Sequence, residues 1–157
     1  MRKLIECVPN FSEGRDKGKI DSIVSKIESI ENITVLDVDS GIDTNRTVVT
    51  FVGEPDNVIK AAFEGIREAS NIIDMSKHKG THPRIGATDV CPIIPISGAT
   101  IEECVNYSKQ LAKIVGDELK IPVFLYEYSS NNSERSNLAV IREGEYEGLK
   151  EKLKDSF

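Results

Sequence analysis

The sequence predicts an α+β fold in which an antiparallel or mixed sheet carries helices on one face. Three observations predict it: short β-branched runs alternate with helical stretches, two of these runs adjoin each other between the first two helices, and no repeat or linker interrupts the pattern. The chain has 157 residues, about the length of one ordinary domain. We therefore expect one domain spanning residues 1–157.

The first part of the chain predicts a strand, a helix and a second strand. Residues 3–9 are apolar and end at a proline, which is typical of a strand running into a loop. Residues 15–30 repeat apolar side chains at helical spacing, which predicts a helix with one buried face. Residues 33–39 alternate, and this predicts a strand with Val35, Asp37 and Asp39 on one side.

The middle of the chain predicts a hairpin partner, a second helix and a further strand. Residues 46–53 are β-branched and follow a turn, so we expect them to pair with the preceding strand. Pro55 is well suited to the first turn of a helix. Residues 90–96 predict a strand, but Pro92 and Pro95 exclude it from a fully hydrogen-bonded central position.

The last part of the chain predicts two helices around a strand. Thr100 and Glu103 form the pattern of a capping box at the start of the third helix. Residues 121–128 predict a strand, and residues 138–153 predict a short helix. The order is β-α-β-β-α-β-α-β-α. Its first six elements predict the ferredoxin-like, split βαβ arrangement, followed by additional C-terminal αβα elements.

Composition excludes several classes of function. The net charge is −6 and the pI is near 5.0, which argues against nucleic acid or an anionic membrane as a general partner. A basic cluster at 77–84 is still a candidate anion site. The three cysteines form no C-x-x-C pair, which is typical of a reduced intracellular protein. The N-terminus does not resemble a signal peptide and no apolar stretch is long enough to span a membrane, so we expect a cytoplasmic protein.

Both histidines of the chain lie in the stretch HKGTHPRIGATD, residues 78–89. Their spacing of four could indicate a metal pair, a base with a helper, or surface residues in a turn. Gly80 and Pro83 argue against a shared helix, and so against a metal pair, because a residue that precedes proline is disfavoured in the helical region. His82 stands out because a glycine, a proline and Arg84 surround it, but a surface role for either histidine stays open.

Two further segments carry candidate polar groups. Asp37 and Asp39 end a predicted strand, and either ordinary turn solvation or the orientation of an imidazole would explain them. Asn10 lies in a loop that could cap a helix or bind an anionic group. No phosphate-binding glycine motif and no nucleophile elbow is present. General acid–base chemistry by a histidine, beside groups suited to a carboxylated substrate, is what remains.

Four stretches of the sequence together resemble a known family. They are CVPNFSEG (7–14), LDVDSGIDTNRTVVTFVGEP (36–55), IDMSKHKGTHPRIGATDVCPIIP (73–95), and VFLYEYSS with IREGEYEGLKEKL towards the end of the chain. They resemble the N-terminal subdomain of glutamate formiminotransferase, a folate-dependent enzyme of histidine degradation that is often fused to a cyclodeaminase. The resemblance extends over essentially the whole chain.

The resemblance implies transfer of a formimino group from N-formimino-L-glutamate to tetrahydrofolate, the co-substrate, with no metal. It implies that His82 is the general base. Asp39 is our first choice for a carboxylate that stabilises the imidazolium and the cationic amidine carbon. The further residues that we expect to bind substrate or folate are Asn10, Asn45, Arg46, His78, Arg84 and Asp89.

The family's transferase domain is about twice as long as this chain and holds folate between two subdomains. The resemblance therefore implies that half of the folate site lies elsewhere. Three arrangements are consistent with this: a split enzyme whose other half is a separate chain, a standalone protein with another function, or part of a longer protein. A homodimer would also cover the face that a partner subdomain normally covers. The competing hypothesis is a non-catalytic module that binds folate or carboxylates, or serves as a scaffold.

Overall fold

The computed structural model describes residues 2–154 and confirms the predicted α+β class. An antiparallel six-stranded sheet carries helices on one face. The strands are β1 (Leu4–Cys7), β2 (Asn10–Phe11), β3 (Thr34–Gly41), β4 (Arg46–Gly53), β5 (Thr88–Val90) and β6 (Ile93–Ser97). The helices are α1 (Lys17–Glu28), α2 (Pro55–Ile72), α3 (Ile101–Ile114), α4 (Leu138–Arg142) and α5 (Glu145–Lys152).

The strands follow the order β5-β2-β4-β1-β6, with β3 paired to the free side of β4. The strand predicted over 3–9 is interrupted at Pro9 and continues as β2, and both pieces pair with β4. The strand predicted over 90–96 is likewise divided at Pro92 into β5 and β6. Pro95 lies in β6, which pairs only with β1 in the described sheet, as expected for a strand that lacks one N–H donor.

The core lies between the sheet and the helices α1, α2 and α3. Alternate residues of β4 point into it, because successive strand side chains face opposite sides. These residues pack against the buried apolar face of α1, which the helical spacing in residues 15–30 predicted. The fully buried members include Ile5, Val49, Phe51, Ile23, Ile27, Val58 and Ala61. Burial of each large apolar side chain contributes about 1.5–3 kcal/mol. We call the opposite, helix-free side of the sheet the outer face.

Side-chain caps begin two of the long helices. Asp16 accepts a hydrogen bond from the Lys19 amide at the start of α1. The predicted capping box of α3 is confirmed: the Glu103 amide donates to Thr100 Oγ1 at 3.1 Å, and the Thr100 amide donates to Glu103 Oε2 at 2.9 Å. A cap of this kind contributes about 1 kcal/mol. Helix α3 continues as a π-helical turn over Val115–Leu119.

A β-bulge in β3 corrects one prediction. Asp37 and Asp39 both lie on the outer face, opposite Thr50 and Val48, as the alternation predicted. Val35, however, pairs with Phe51 and lies on the core side, because the register shifts between Val35 and Asp37. The extra residue of a bulge reverses the alternation of the strand.

The strand predicted over 121–128 is wrong. Residues 121–126 form no strand in the described sheet, and a 3₁₀ turn follows at Glu127–Ser129. A β-branched, aromatic run becomes a strand only where a sheet edge is available, and this run instead packs its apolar side chains beside α3. The tail predicted as one helix forms α4 and α5, separated at Gly144, whose φ is +83°. No helix within residues 2–154 is long and apolar enough to cross a membrane.

Candidate active site

Three loops meet at one end of the sheet: the loop after β2, the β3–β4 turn and the segment 78–84. Glycines allow them to approach closely. A Cβ on Gly14 would lie 2.2 Å from the Gly41 carbonyl oxygen, and a Cβ on Gly80 would lie 2.3 Å from that of Thr44. The Thr81 amide also donates to the Asp43 carbonyl at 3.0 Å. The site therefore depends on backbone contacts that no larger residue permits.

Asn45 joins these three loops through both ends of its side chain. Its Oδ1 accepts from the Gly14 amide at 2.9 Å, and its Nδ2 donates to the Lys79 carbonyl at 3.0 Å. Asn45 is buried and has a φ of +50°, a left-handed conformation that asparagine tolerates better than most residues. The structure thus uses Asn45 to hold the loops together, and leaves little of its amide for a ligand.

Arg46, His82 and Asn10 form a partly open cluster, which we call the outer cluster. The Arg46 guanidinium contacts both ring nitrogens of His82, with Nη1 2.6 Å from Nδ1, and its Nη2 donates to Asn10 Oδ1. His82 Nδ1 also lies 2.7 Å from the Pro83 carbonyl oxygen. Because a carbonyl can only accept, the consistent assignment protonates Nδ1 and leaves the Nε2 lone pair facing Arg46.

Arg46 is the cation of the outer cluster. Partial burial lowers the pKa of its guanidinium; Asp89 opposes this shift and Arg142 adds to it. Its Nε is buried and has no hydrogen-bond partner among residues 2–154. A partly desolvated guanidinium is well suited to bind a carboxylate.

The outer cluster lies on the helix-free side of the sheet. Arg46 alternates with the inward residues of β4, and Asn10 pairs with Val48 on the same side. Asp39 lies opposite Val48, which places it diagonally across from Arg46, where Cβ atoms are about 7–8 Å apart. Asp39 is exposed and makes no hydrogen bond or ion pair within the described residues, so it does not contact His82.

His78 and Arg84 form a second, buried cluster behind the first. His78 Nε2 lies 2.9 Å from the Asn45 carbonyl oxygen, and His78 Nδ1 accepts from Arg84 Nε at 2.8 Å. The remaining Arg84 donors reach the His78 carbonyl and the carboxylates of Glu145 and Glu147. These hydrogen bonds, above all the one to Glu147, raise the pKa of Arg84 and lower that of Glu147 to about 2. Arg84 is therefore bound by the protein itself.

Asp89 is also occupied within the chain. Its Oδ1 accepts from the Ile85 amide at 2.8 Å, and its Oδ2 accepts from the guanidinium of Arg142. The sequence did not indicate Arg142, Glu145 or Glu147 as partners of this region, because they follow it by more than fifty residues and form no local motif.

The two histidines do not share a helix, as Gly80 and Pro83 indicated. Their rings have different environments, since His78 is buried and His82 is partly exposed. Across residues 2–154, no group of three or more histidine, cysteine or acidic residues is arranged to hold a metal ion.

A large apolar cavity lies away from the outer cluster. It has a volume of about 880 Å³ and lies between α2, α3 and the segment 121–129. Its walls include Cys91, Leu111, Ile141 and the phenol of Tyr126. Burial raises the pKa of Tyr126 to about 12, so this phenol is neutral near neutral pH. Size alone would favour this cavity as a ligand site, but His82 and Arg46 are not part of its wall.

The sequence is similar to those of several known proteins. A formimidoyltransferase-cyclodeaminase of Dictyostelium discoideum is 54% identical over 155 residues, which are 99% of this chain and 29% of that protein. A glutamate formimidoyltransferase of Streptococcus pyogenes serotype M1 is 50% identical, over 98% of this chain and 51% of that protein. A glutamate formimidoyltransferase of Thermoplasma acidophilum is 46% identical, over 97% of this chain and 51% of that protein.

The chain thus spans about half the length of the two glutamate formimidoyltransferases and under a third of the fused protein. Residues 4–157 match the family model described as formiminotransferase domain, N-terminal subdomain. This match includes all three loops of the site. The chain therefore belongs to the formiminotransferase domain family, as its N-terminal subdomain.

Proposed function

We propose that this chain supplies the His82-bearing half of a glutamate formimidoyltransferase that acts in histidine degradation. The reaction moves the formimino group from N-formimino-L-glutamate to tetrahydrofolate, the co-substrate. The observation that carries the proposal is the outer cluster, where an imidazole and a partly desolvated guanidinium face the open side of the sheet. The names of the relatives support the same reaction.

His82 acts as the general base through Nε2. A pterin-ring nitrogen attacks the amidine carbon, forming the new C–N bond, and its proton passes to Nε2. The bond from the amidine carbon to the glutamate nitrogen then breaks, and the same proton passes to the departing amine. The protein gains and loses one proton, and the step needs no redox partner. A well-placed imidazole contributes about 10²–10⁴-fold to such a transfer.

The other residues of the site divide between binding and support. Arg46 binds a substrate carboxylate together with Asn10, and this frees Nε2 of His82 from the guanidinium. Asp39, exposed on the same face, stabilises the cationic amidine carbon without touching His82 in the free protein. Asn45, His78, Arg84 and Asp89 support the loops from behind, which accounts for their saturated polar atoms.

A second unit completes the folate site. The chain spans about half of each glutamate formimidoyltransferase that it matches, and the outer cluster lies on a sheet face without a helix layer. We assign the missing half to a second subdomain, in the same or a separate chain, and a second copy of this chain is the alternative occupant. The chain itself is one domain of the ferredoxin-like type, a view that the sheet order supports. Its three free thiols favour the cytoplasm.

The test is a transfer assay with purified protein, run with this chain alone and with a chain that supplies the second subdomain. The proposal predicts that 5-formiminotetrahydrofolate and glutamate form in equal amounts once both halves are present. Calorimetry that shows folate or formiminoglutamate binding without turnover by the assembled halves would favour the non-catalytic module instead. Absence of both binding and turnover would reject both functions.

A further inference from the structure

We propose that His78 and Arg84, anchored by Glu145 and Glu147 of α5, are positioning residues. They hold the side chains of His82 and Arg46 in their positions relative to each other. The proposal rests on the proposed function for its kinetic readout, but its structural readout is independent of it. None of these four residues touches the reacting atoms. Together they connect the C-terminal helix to the outer cluster.

Hydrogen bonds between His78 and Arg84 close the base of the loop that contains His82. Arg84 donates from Nε to His78 Nδ1 at 2.8 Å and from Nη2 to the His78 carbonyl at 3.1 Å. His78 and Arg84 therefore join the two ends of the segment that contains His82. Both side chains are buried, so water competes little for these hydrogen bonds.

His78 also binds the backbone at the start of β4, the strand that begins with Arg46. Since Arg84 Nε can only donate, His78 Nδ1 must accept, and the ring proton is on Nε2. That Nε2–H donates to the Asn45 carbonyl at 2.9 Å, and this carbonyl belongs to the peptide bond that leads into Arg46. One imidazole thus links the backbone of Arg46 to the loop of His82.

Helix α5 holds Arg84 in place from the solvent side. The five N–H donors of Arg84 are matched by His78 Nδ1, the His78 carbonyl, Glu145 Oε1 and both oxygens of Glu147. The Arg84 amide also donates to Glu145, and its carbonyl accepts from the Tyr146 amide at 3.0 Å. The side chain of Arg84 is 8% exposed, whereas those of Glu145 and Glu147 are 45% and 56% exposed. The two acids can therefore be changed without opening the core.

The structural test uses the fact that the chain has only two histidines. Long-range ¹H–¹⁵N spectra of both imidazoles are recorded for wild type, for the double variant Glu145→Ala/Glu147→Ala, and for Glu151→Ala. Glu151 is the matched control, because it lies on the same helix and its side chain pairs, among residues 2–154, with Lys154 alone. We expect both ring signals to shift in the double variant and to remain at their wild-type positions in the control. Superimposable double-variant and wild-type spectra would overturn the proposal.

The kinetic test uses the same three proteins assembled with the second subdomain. Misplacement of His82 predicts that kcat falls by about 10- to 100-fold in the double variant, and misplacement of Arg46 predicts that KM for formiminoglutamate rises as well. A thermal midpoint well above the assay temperature in all three proteins excludes a general loss of folded protein. Wild-type kcat in the double variant would count against positioning. If wild type itself transfers nothing, the proposed function fails, and the imidazole spectra alone decide this inference.

Discussion

Neighbouring residues of the same type have different roles in this site. His78 is buried with both ring nitrogens engaged, whereas His82 is partly exposed and shares its Nε2 with a displaceable guanidinium. The sequence favoured His82 because Pro83 and Arg84 adjoin it, and the family resemblance gave it the role of base. The structure distinguishes the two rings by exposure, since His82 is partly exposed and His78 is buried.

Arg46 is the residue whose substitution most directly tests substrate binding. We expect Arg46→Gln to raise KM for formiminoglutamate by about 10- to 100-fold, because a charge-assisted hydrogen bond to a carboxylate contributes about 1.5–3 kcal/mol. Arg2→Gln is the control, since Arg2 makes an exposed ion pair with Glu54 away from the site. Steady-state kinetics measures both variants. An equal KM for the two would show that Arg46 does not bind the carboxylate.

Arg84 shows why single-residue predictions from sequence were incomplete. Its proximity to His82 favoured a role in carboxylate binding, but its acceptors Glu145 and Glu147 come 61 and 63 residues later. No local spacing connects these positions, so only the packed structure reveals that the guanidinium is already occupied. The prediction that Asp37 and Asp39 share a side is confirmed, because alternation is a local property of the residues after the bulge.

Loops, rather than strands or helices, bring the site together. Gly80 and Gly14 permit backbone approaches that a methyl group would block. Turn residues indicated loops in these regions, but the sequence did not reveal which loops touch. That contact depends on the sheet order, which places the loop after β2, the β3–β4 turn and the segment 78–84 at one end.

Gly80→Ala tests this close approach. The new Cβ would lie 2.3 Å from the Thr44 carbonyl oxygen, so we expect a loss of about 1–3 kcal/mol in the free energy of unfolding. Gly148→Ala is the matched control, because nothing lies within 4 Å of its Cβ in α5, and helix propensity predicts a gain of about 0.5–1 kcal/mol. Urea unfolding measures both. A Gly80→Ala protein as stable as wild type would contradict the described packing.

Helix α5 gives the protein a predicted acid sensitivity. Arg84 holds the pKa of Glu147 at about 2, below the value near 4.3 of an unfolded chain. A carboxyl whose pKa is lower in the folded than in the unfolded protein stabilises the fold at any pH above its unfolded-state pKa. This contribution is lost as the pH falls towards the folded-state pKa. The stability advantage of wild type over Glu147→Gln should therefore be constant at neutral pH and shrink between about pH 4.5 and 2. An advantage that does not change with pH in urea titrations would contradict this ion pair.

The two wrong element predictions have a common physical cause. The run at 121–128 has the composition of a strand, and the alternation at 33–39 predicted that Val35 shares a side with Asp37 and Asp39. In both cases the pairing with neighbouring strands, rather than the local sequence, decides the structure. The first run finds no partner strand in the described sheet, and the second contains a bulge. Helix limits were predicted better, because caps such as Thr100 and Glu103 act within one turn.

The molecule as a whole has one covered and one open sheet face. Helices bury the core side, while Ile94 and Ile96 on the outer face are 39% and 54% exposed. This apolar surface is continuous with the face that carries Arg46, as expected where a second unit binds. The α+β class was predictable from element order, but an uncovered face is a property of the folded sheet.

Substitution of the exposed isoleucines tests whether this face binds a second unit. We expect Ile94→Ser/Ile96→Ser to keep the wild-type thermal midpoint but to weaken association with the second subdomain, or with a second copy, in sedimentation velocity. Ile101→Ser is the control, since Ile101 is similarly exposed but begins α3. Equal association of the double variant and the control would show that the outer face is not the contact surface.

Proton transfer by His82 is the step on which the proposed function depends. Its most direct test is the kcat of His82→Ala, measured in the assembled enzyme with and without added imidazole. We predict that kcat falls by about 10²–10⁴-fold and that imidazole restores part of it in proportion to its unprotonated concentration. A His82→Ala protein whose kcat stays within a few-fold of wild type would show that His82 is not the base.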